Sequence, residues 1–61
     1  MAEFRVYCRS DEGRIVWGED FEAPDLPAAI VRATAICQAQ QGGGRGGMEI
    51  WQGTIMVYPP Q

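Results

Sequence analysis

Histidine and lysine are both missing from this 61-residue chain, and serine occurs only at Ser10. Without histidine there is no side chain whose ordinary pKa suits proton transfer near neutrality, and no imidazole to hold a metal. Ser10 lies among turn residues with no base near it in sequence, and Cys8 and Cys37 lack an activating cation on their predicted faces. A carboxylate pair such as Glu19 and Asp20 can be found in almost any acidic loop. These residues predict a protein that is not an enzyme and has no cofactor, with no small-molecule substrate evident.

Cysteine is scarce as well. The two cysteines are not part of a CxxC pair, and a zinc site would need two carboxylates beside them, an uncommon ligand set. They could form one bridge, but disulfide-stapled miniproteins carry more than two cysteines, and no signal peptide is evident. Both fall at inward positions of the patterns described below, so their expected role is that of small buried hydrophobes. The longest apolar run is far too short to cross a bilayer, which predicts a soluble, cytoplasmic protein with no membrane contact.

The five cations are all arginine and the net charge is −3. A polyanion binder usually presents a basic stripe, and an acidic domain repels the phosphate backbone, so nucleic acid is disfavoured as a partner. A chain of this length makes one domain, residues 1–61, that buries only about 60% of its unfolded surface. With no disulfide framework or metal expected, oligomerisation or docking on a larger partner is the expected source of extra stability.

What is present reads as β–β–α–β–β. Residues 3–9 alternate strictly, with Phe4, Val6 and Cys8 on one face and Glu3, Arg5, Tyr7 and Arg9 on the other, the period of a half-buried strand. A turn through Ser10–Gly13 leads to a second strand over Arg14–Glu19. There Ile15 and Trp17 share one face and Val16 and Gly18 the other; the pattern does not decide which faces the core, and Gly18 is a candidate bulge. Glu19–Asp25 reads as an acidic connector anchored by Phe21. Its carboxylates lack the spacing and central glycine of an EF-hand and are read as solvated charges.

Asp25 is suited to an N-cap and Pro27 to a first helical turn, so a helix is predicted from Leu26 to Gln40 or Gln41. Leu26, Ala29, Ile30, Ala33, Ile36 and Cys37 form its apolar stripe. The opposite side, Ala28, Val31, Arg32, Ala35, Gln38 and Ala39, is unusually poor in charge. Gln40–Gly47 is expected to end the helix with one glycine in αL and to continue as a plain linker. It is not a P-loop, because no GK[ST] follows.

The last stretch, Met48–Tyr58, reads as a hairpin turning at Gln52-Gly53, with Trp51 opposite Thr54, Ile50 opposite Ile55, Glu49 opposite Met56 and Met48 opposite Val57. Met48, Ile50, Ile55 and Val57 then face the core, while Glu49, Trp51, Thr54, Met56 and Tyr58 face away. The predicted core is Phe4, Val6, Cys8, Phe21, Leu26, Ile30, Ala33, Cys37, Met48, Ile50, Ile55 and Val57. One helix covers one face of a mostly antiparallel α+β sheet. The other face would present Tyr7, Trp51, Met56 and Tyr58, with Trp17 and Arg5 as further candidates. Tyrosine, tryptophan, methionine and arginine are enriched at protein interfaces.

The aromatic first strand, the Pro24-Asp25-Leu26 helix start and the closing Glu49-Ile50-Trp51-Gln52-Gly53 together resemble a group of short bacterial proteins of unknown function. That group shares the same element pattern and a Glu-aliphatic-Trp-x-Gly hairpin. The resemblance implies the fold and no activity. Ala23-Pro24-Asp25-Leu26-Pro27 is also similar to a segment of HicB-type antitoxins, which implies inhibition of a small basic toxin. Three functions are therefore expected in descending order. The first is a protein–protein interaction module, self-associating or docking through the aromatic face. The second is a HicB-like antitoxin, and the third is a weak nucleic-acid binder using Arg5, Arg9 and Arg45.

Overall fold

The computed structural model describes residues 1–40 and 45–59. Four strands and one helix follow in the expected order: β1 Ala2–Arg9, β2 Ile15–Ala23, α1 Leu26–Gln38, β3 Met48–Gln52 and β4 Ile55–Tyr58. All neighbouring strands are antiparallel in one open sheet of order β2-β1-β3-β4, with α1 on one face. This is the predicted ββαββ fold of the α+β class.

β1 is central, and its alternation sets the two faces. Phe4, Val6 and Cys8 are buried under the helix, while Arg5, Tyr7 and Arg9 point to the opposite side. Asp25 caps α1 as expected, its carboxylate accepting from the Ala28 backbone N–H at 2.9 Å, and Pro27 sits in the first turn. Ala29, Ala33 and Cys37 are the buried helix positions; their small size lets the helix lie close to the sheet. Leu26, Ile30 and Ile36 flank them, and Ile50 and Val6 are fully buried beneath. On the far side of the helix Val31 is exposed.

Four sequence expectations need correction. First, Cys8 and Cys37 are not merely buried hydrophobes but form a disulfide between β1 and α1, with Cα atoms 5.5 Å apart. The inward phase of each element brings the two thiols together. Second, the presumed acidic connector is the second half of β2. Glu19, Phe21 and Ala23 alternate with Asp20 and Glu22 in register with β1, and Phe21 stacks on Phe4 with ring centroids 5.8 Å apart. The anchoring role of Phe21 holds, but as a strand residue. The ladder shift falls at Val16 rather than Gly18, since Cys8 pairs with Trp17 and Arg9 with Ile15.

Third, α1 stops at Gln38, before any glycine. Ala39 is in αR, and the Gln40 N–H bonds to the Cys37 carbonyl at 3.1 Å, a tightened last turn in place of an αL cap. Most of the glycine run, residues 41–44, lies outside the described residues. Gly46 and Gly47 are not linker: Arg9 N–H donates to Gly47 and Gly46 N–H donates to Arg9, at 3.0 and 3.1 Å, continuing the β1–β3 pairing.

Fourth, the closing hairpin turns one residue later than expected. Gln52 pairs with Ile55, so the loop is Gly53-Thr54, and Gly53 alone carries positive φ (63°), as a type II′ turn requires at its first central position. Ile55 keeps its predicted face but moves to the hairpin tip, beyond the helix, and is 67% exposed. A bulge then leaves Val57 unpaired between Trp51↔Met56 and Ile50↔Tyr58. Val57 and Tyr58 therefore both pack against the core.

Candidate functional site

The sheet face opposite the helix carries two rows of side chains, each set by strand register. The first crosses all four strands as Asp20, Arg5, Trp51 and Met56; the second is Gly18, Tyr7 and Glu49. No described element covers this face.

Its side chains are held in place by one another. Arg5 donates from Nη1 to the Asp20 carboxylate at 2.7 Å and from Nε to the Tyr7 hydroxyl at 2.8 Å, with its guanidinium carbon 5.1 Å from the Tyr7 ring centroid. Asp20 first, then Tyr7, raise the Arg5 pKa above its ordinary value, so it stays a cation at any working pH. Glu49 accepts from the Trp51 indole N–H at 3.1 Å and pairs with Arg9. Glu49 is largely shielded, and one carboxylate thus orients an aromatic and neutralises a cation together. These short i,i+2 links hold Tyr7 and Trp51 in fixed orientations at half-buried positions, which lowers the side-chain entropy lost on docking.

Gly18, expected at a bulge, is instead what lets the Tyr7 ring lie against β2. A Cβ at Gly18 would come within 3.1 Å of two Tyr7 ring carbons and 3.3 Å of Arg5 Nη2. Asp20, expected in a connector, is a β2 residue directly opposite Arg5 and its carboxylate partner.

Of the six candidate partner-binding residues, four come together here: Arg5, Tyr7, Trp51 and Met56. Trp17 and Tyr58 do not. Trp17 pairs with Cys8 and so stands on the helix side, at the sheet margin, where it is 42% exposed and donates its indole N–H to Glu19 at 3.0 Å. Tyr58 turns to the core side through the bulge at Val57. It lines a hollow of ≈ 610 Å³ at the β4 side of the sheet that residues of both faces border, Met48 from the helix side and Met56 and Arg9 from the open face, with Arg45 beside them. Both arginines already have carboxylate partners, Glu49 for Arg9 and Asp11 for Arg45 at 3.7 Å.

No family model matches this chain, and no curated protein or solved structure does either. No helix among the described residues is long and apolar enough to cross a membrane.

Proposed function

We propose that this chain is a small non-catalytic interaction module that docks on a partner protein through the open sheet face. The observation that carries this reading is the uninterrupted Asp20–Arg5–Trp51–Met56 row, flanked by Tyr7 and Glu49 and left uncovered. It joins residue types enriched in binding hot spots to a preorganised arrangement on regular strands. The test is capture of partners from the native host by the wild-type protein, by Trp51→Ala and Met56→Glu, and by the control Ile55→Glu, which changes an exposed residue on the other side. Loss of the same partner in the first two variants and its retention in the control supports the reading. Retention in all of them removes it.

One observation favours a second reading, a HicB-like inhibitor of a small basic toxin. Glu3 and Glu22 stand directly opposite one another, with Asp20 on the same side of β2, so negative charge collects at one end of the face. A short basic protein encoded next to this chain and bound by it would support that reading, and binding unchanged in Glu22→Gln would count against it. Nucleic-acid binding draws least support, because Arg5, Arg9 and Arg45 each pair with a carboxylate. A cytoplasmic location belongs to the proposal only for the reduced chain, since buried disulfides persist in oxidising compartments. Thiol labelling of the protein as it comes from its host distinguishes the two states.

A further inference from the structure

The two ends of α1 are fastened to the sheet in different ways. Its first half has the Asp25 cap and the packing of Leu26, Ala29, Ile30 and Ala33. From Thr34 onward, Ile36 and Cys37 are the helix positions that pack on the core among the described residues, and Ile36 is only half-buried. The Thr34 hydroxyl turns back to the Ile30 carbonyl at 2.7 Å instead of reaching the sheet. The last turn carries no basic residue to complement the helix dipole, and its C-cap, Ala39, stays in αR. Beside this end lies the ≈ 610 Å³ hollow, bordered by Thr34, Cys37 and Gln38 from the helix and by Met48, Met56 and Tyr58 from β3 and β4. Side chains that border open space lack packing partners on that side. The Cys8–Cys37 bridge is therefore the main tie between this end of the helix and β1.

We propose that this bridge is a thiol-operated latch. A small thiol enters the hollow and opens the bridge at Cys37, and the helix beyond Ala33 comes away while the sheet and the first half of α1 stay folded. Cys37 borders the hollow, whereas Cys8, fully buried in the central strand, does not. A bridge sealed on all sides by a packed core would offer a thiol no such approach. The attacking thiolate bonds to the Cys37 sulfur as the Cys8–Cys37 bond breaks, and Cys8 leaves as a thiolate that takes up a proton. A second thiol then displaces the first from Cys37, so two small thiols are oxidised to a disulfide and the bridge is reduced to two cysteine thiols. The freed segment Thr34–Gln38 is about one and a half turns long, too short to keep helical form without packing. The inference rests on the bridge and the helix end, so it stands independently of the open-face reading.

Residue-resolved amide hydrogen exchange of the wild type, first oxidised and then reduced with 2-mercaptoethanol, tests this. Protection of the Ala35–Ala39 amides is expected to fall at least about tenfold on reduction, while that of Ala29–Ala33, β1 and β3 changes by less than about twofold. Reoxidation is expected to restore it. Reduction is expected to be first order in thiol and insensitive to low urea. Acid-quenched partial reactions are expected to carry the mixed disulfide on Cys37 at least about tenfold more often than on Cys8. Equal protection in the two redox states overturns the proposal, and so does loss spread over the whole chain, which makes the bridge a general staple. Reduction that saturates with thiol and quickens in step with urea unfolding also overturns it, as does an adduct chiefly on Cys8. The double variant Cys8→Ala with Cys37→Ala must show the same local loss without reductant; protection like that of the oxidised wild type sinks the latch.

Discussion

The two faces of this sheet are built by different physics. The helix-covered face is held by burial: Val6, Ile50, Ala29 and Ala33 are fully excluded from water, and the Cys8–Cys37 bridge ties β1 to α1 across them. The open face is held by neighbours along and across strands, through Arg5 with Asp20 and Tyr7, and Glu49 with Trp51 and Arg9. The first arrangement stabilises the chain in bulk. The second stabilises it little, because exposed ion pairs are weak, but it orients side chains for a partner. Changes beneath the helix should therefore cost folding, and changes on the open face should cost binding.

The sharpest way to break the covered face is Ile50→Ala. Removing a fully buried side chain leaves a cavity that a 61-residue core cannot easily close, and a loss of about 4 kcal/mol is expected in urea unfolding. Replacing both cysteines, Cys8→Ala with Cys37→Ala, comes next. The bridge closes a loop of 29 residues, so its loss should destabilise by about 3 kcal/mol, with a lower unfolding midpoint than the oxidised wild type. Reductant added to the wild type should lower the midpoint in the same direction.

On the open face, Gly18→Val should cost only about 1 kcal/mol, because the Tyr7 ring and the Arg5 side chain need to give by only a few tenths of an ångström. Its larger effect should be a changed tyrosine environment, read by near-ultraviolet circular dichroism. The smallest expected effect is a gain: Glu22→Lys replaces a like-charge cross-strand pair with Glu3 by an opposite one and should add about 0.5 kcal/mol. Salt should shrink that gain, whereas the Ile50→Ala loss should be insensitive to salt. If Gly18→Val proved as damaging as Ile50→Ala, the distinction between the two faces would fail.

Much of the covered face could be read from residue order. Phe4, Val6 and Cys8 alternate within one strand, and Asp25 followed by Pro27 is a helix start that needs no tertiary context. The open-face set was legible where it depended on alternation alone, as for Arg5, Tyr7, Trp51 and Met56. It failed at Tyr58, because a bulge inserts one residue and reverses the facing beyond it. Trp17 was misplaced for a related reason: its facing follows from its pairing with Cys8, and the ladder shifts at Val16. The Glu19–Glu22 segment was hidden by composition, since carboxylates on a free edge can point into water without leaving the strand.

The amino-acid order by itself determined the element sequence, the helix cap, the inward set of β1 and the residue types of the open face. Each depends on neighbours within a few positions, where backbone geometry repeats. Tertiary structure alone decided the Cys8–Cys37 bridge, the Gly53-Thr54 turn, the seating of Tyr7 on Gly18 and which edge of the sheet β2 occupies. Those depend on distances between residues far apart in sequence, and they are set only when the helix packs and the strands choose their register.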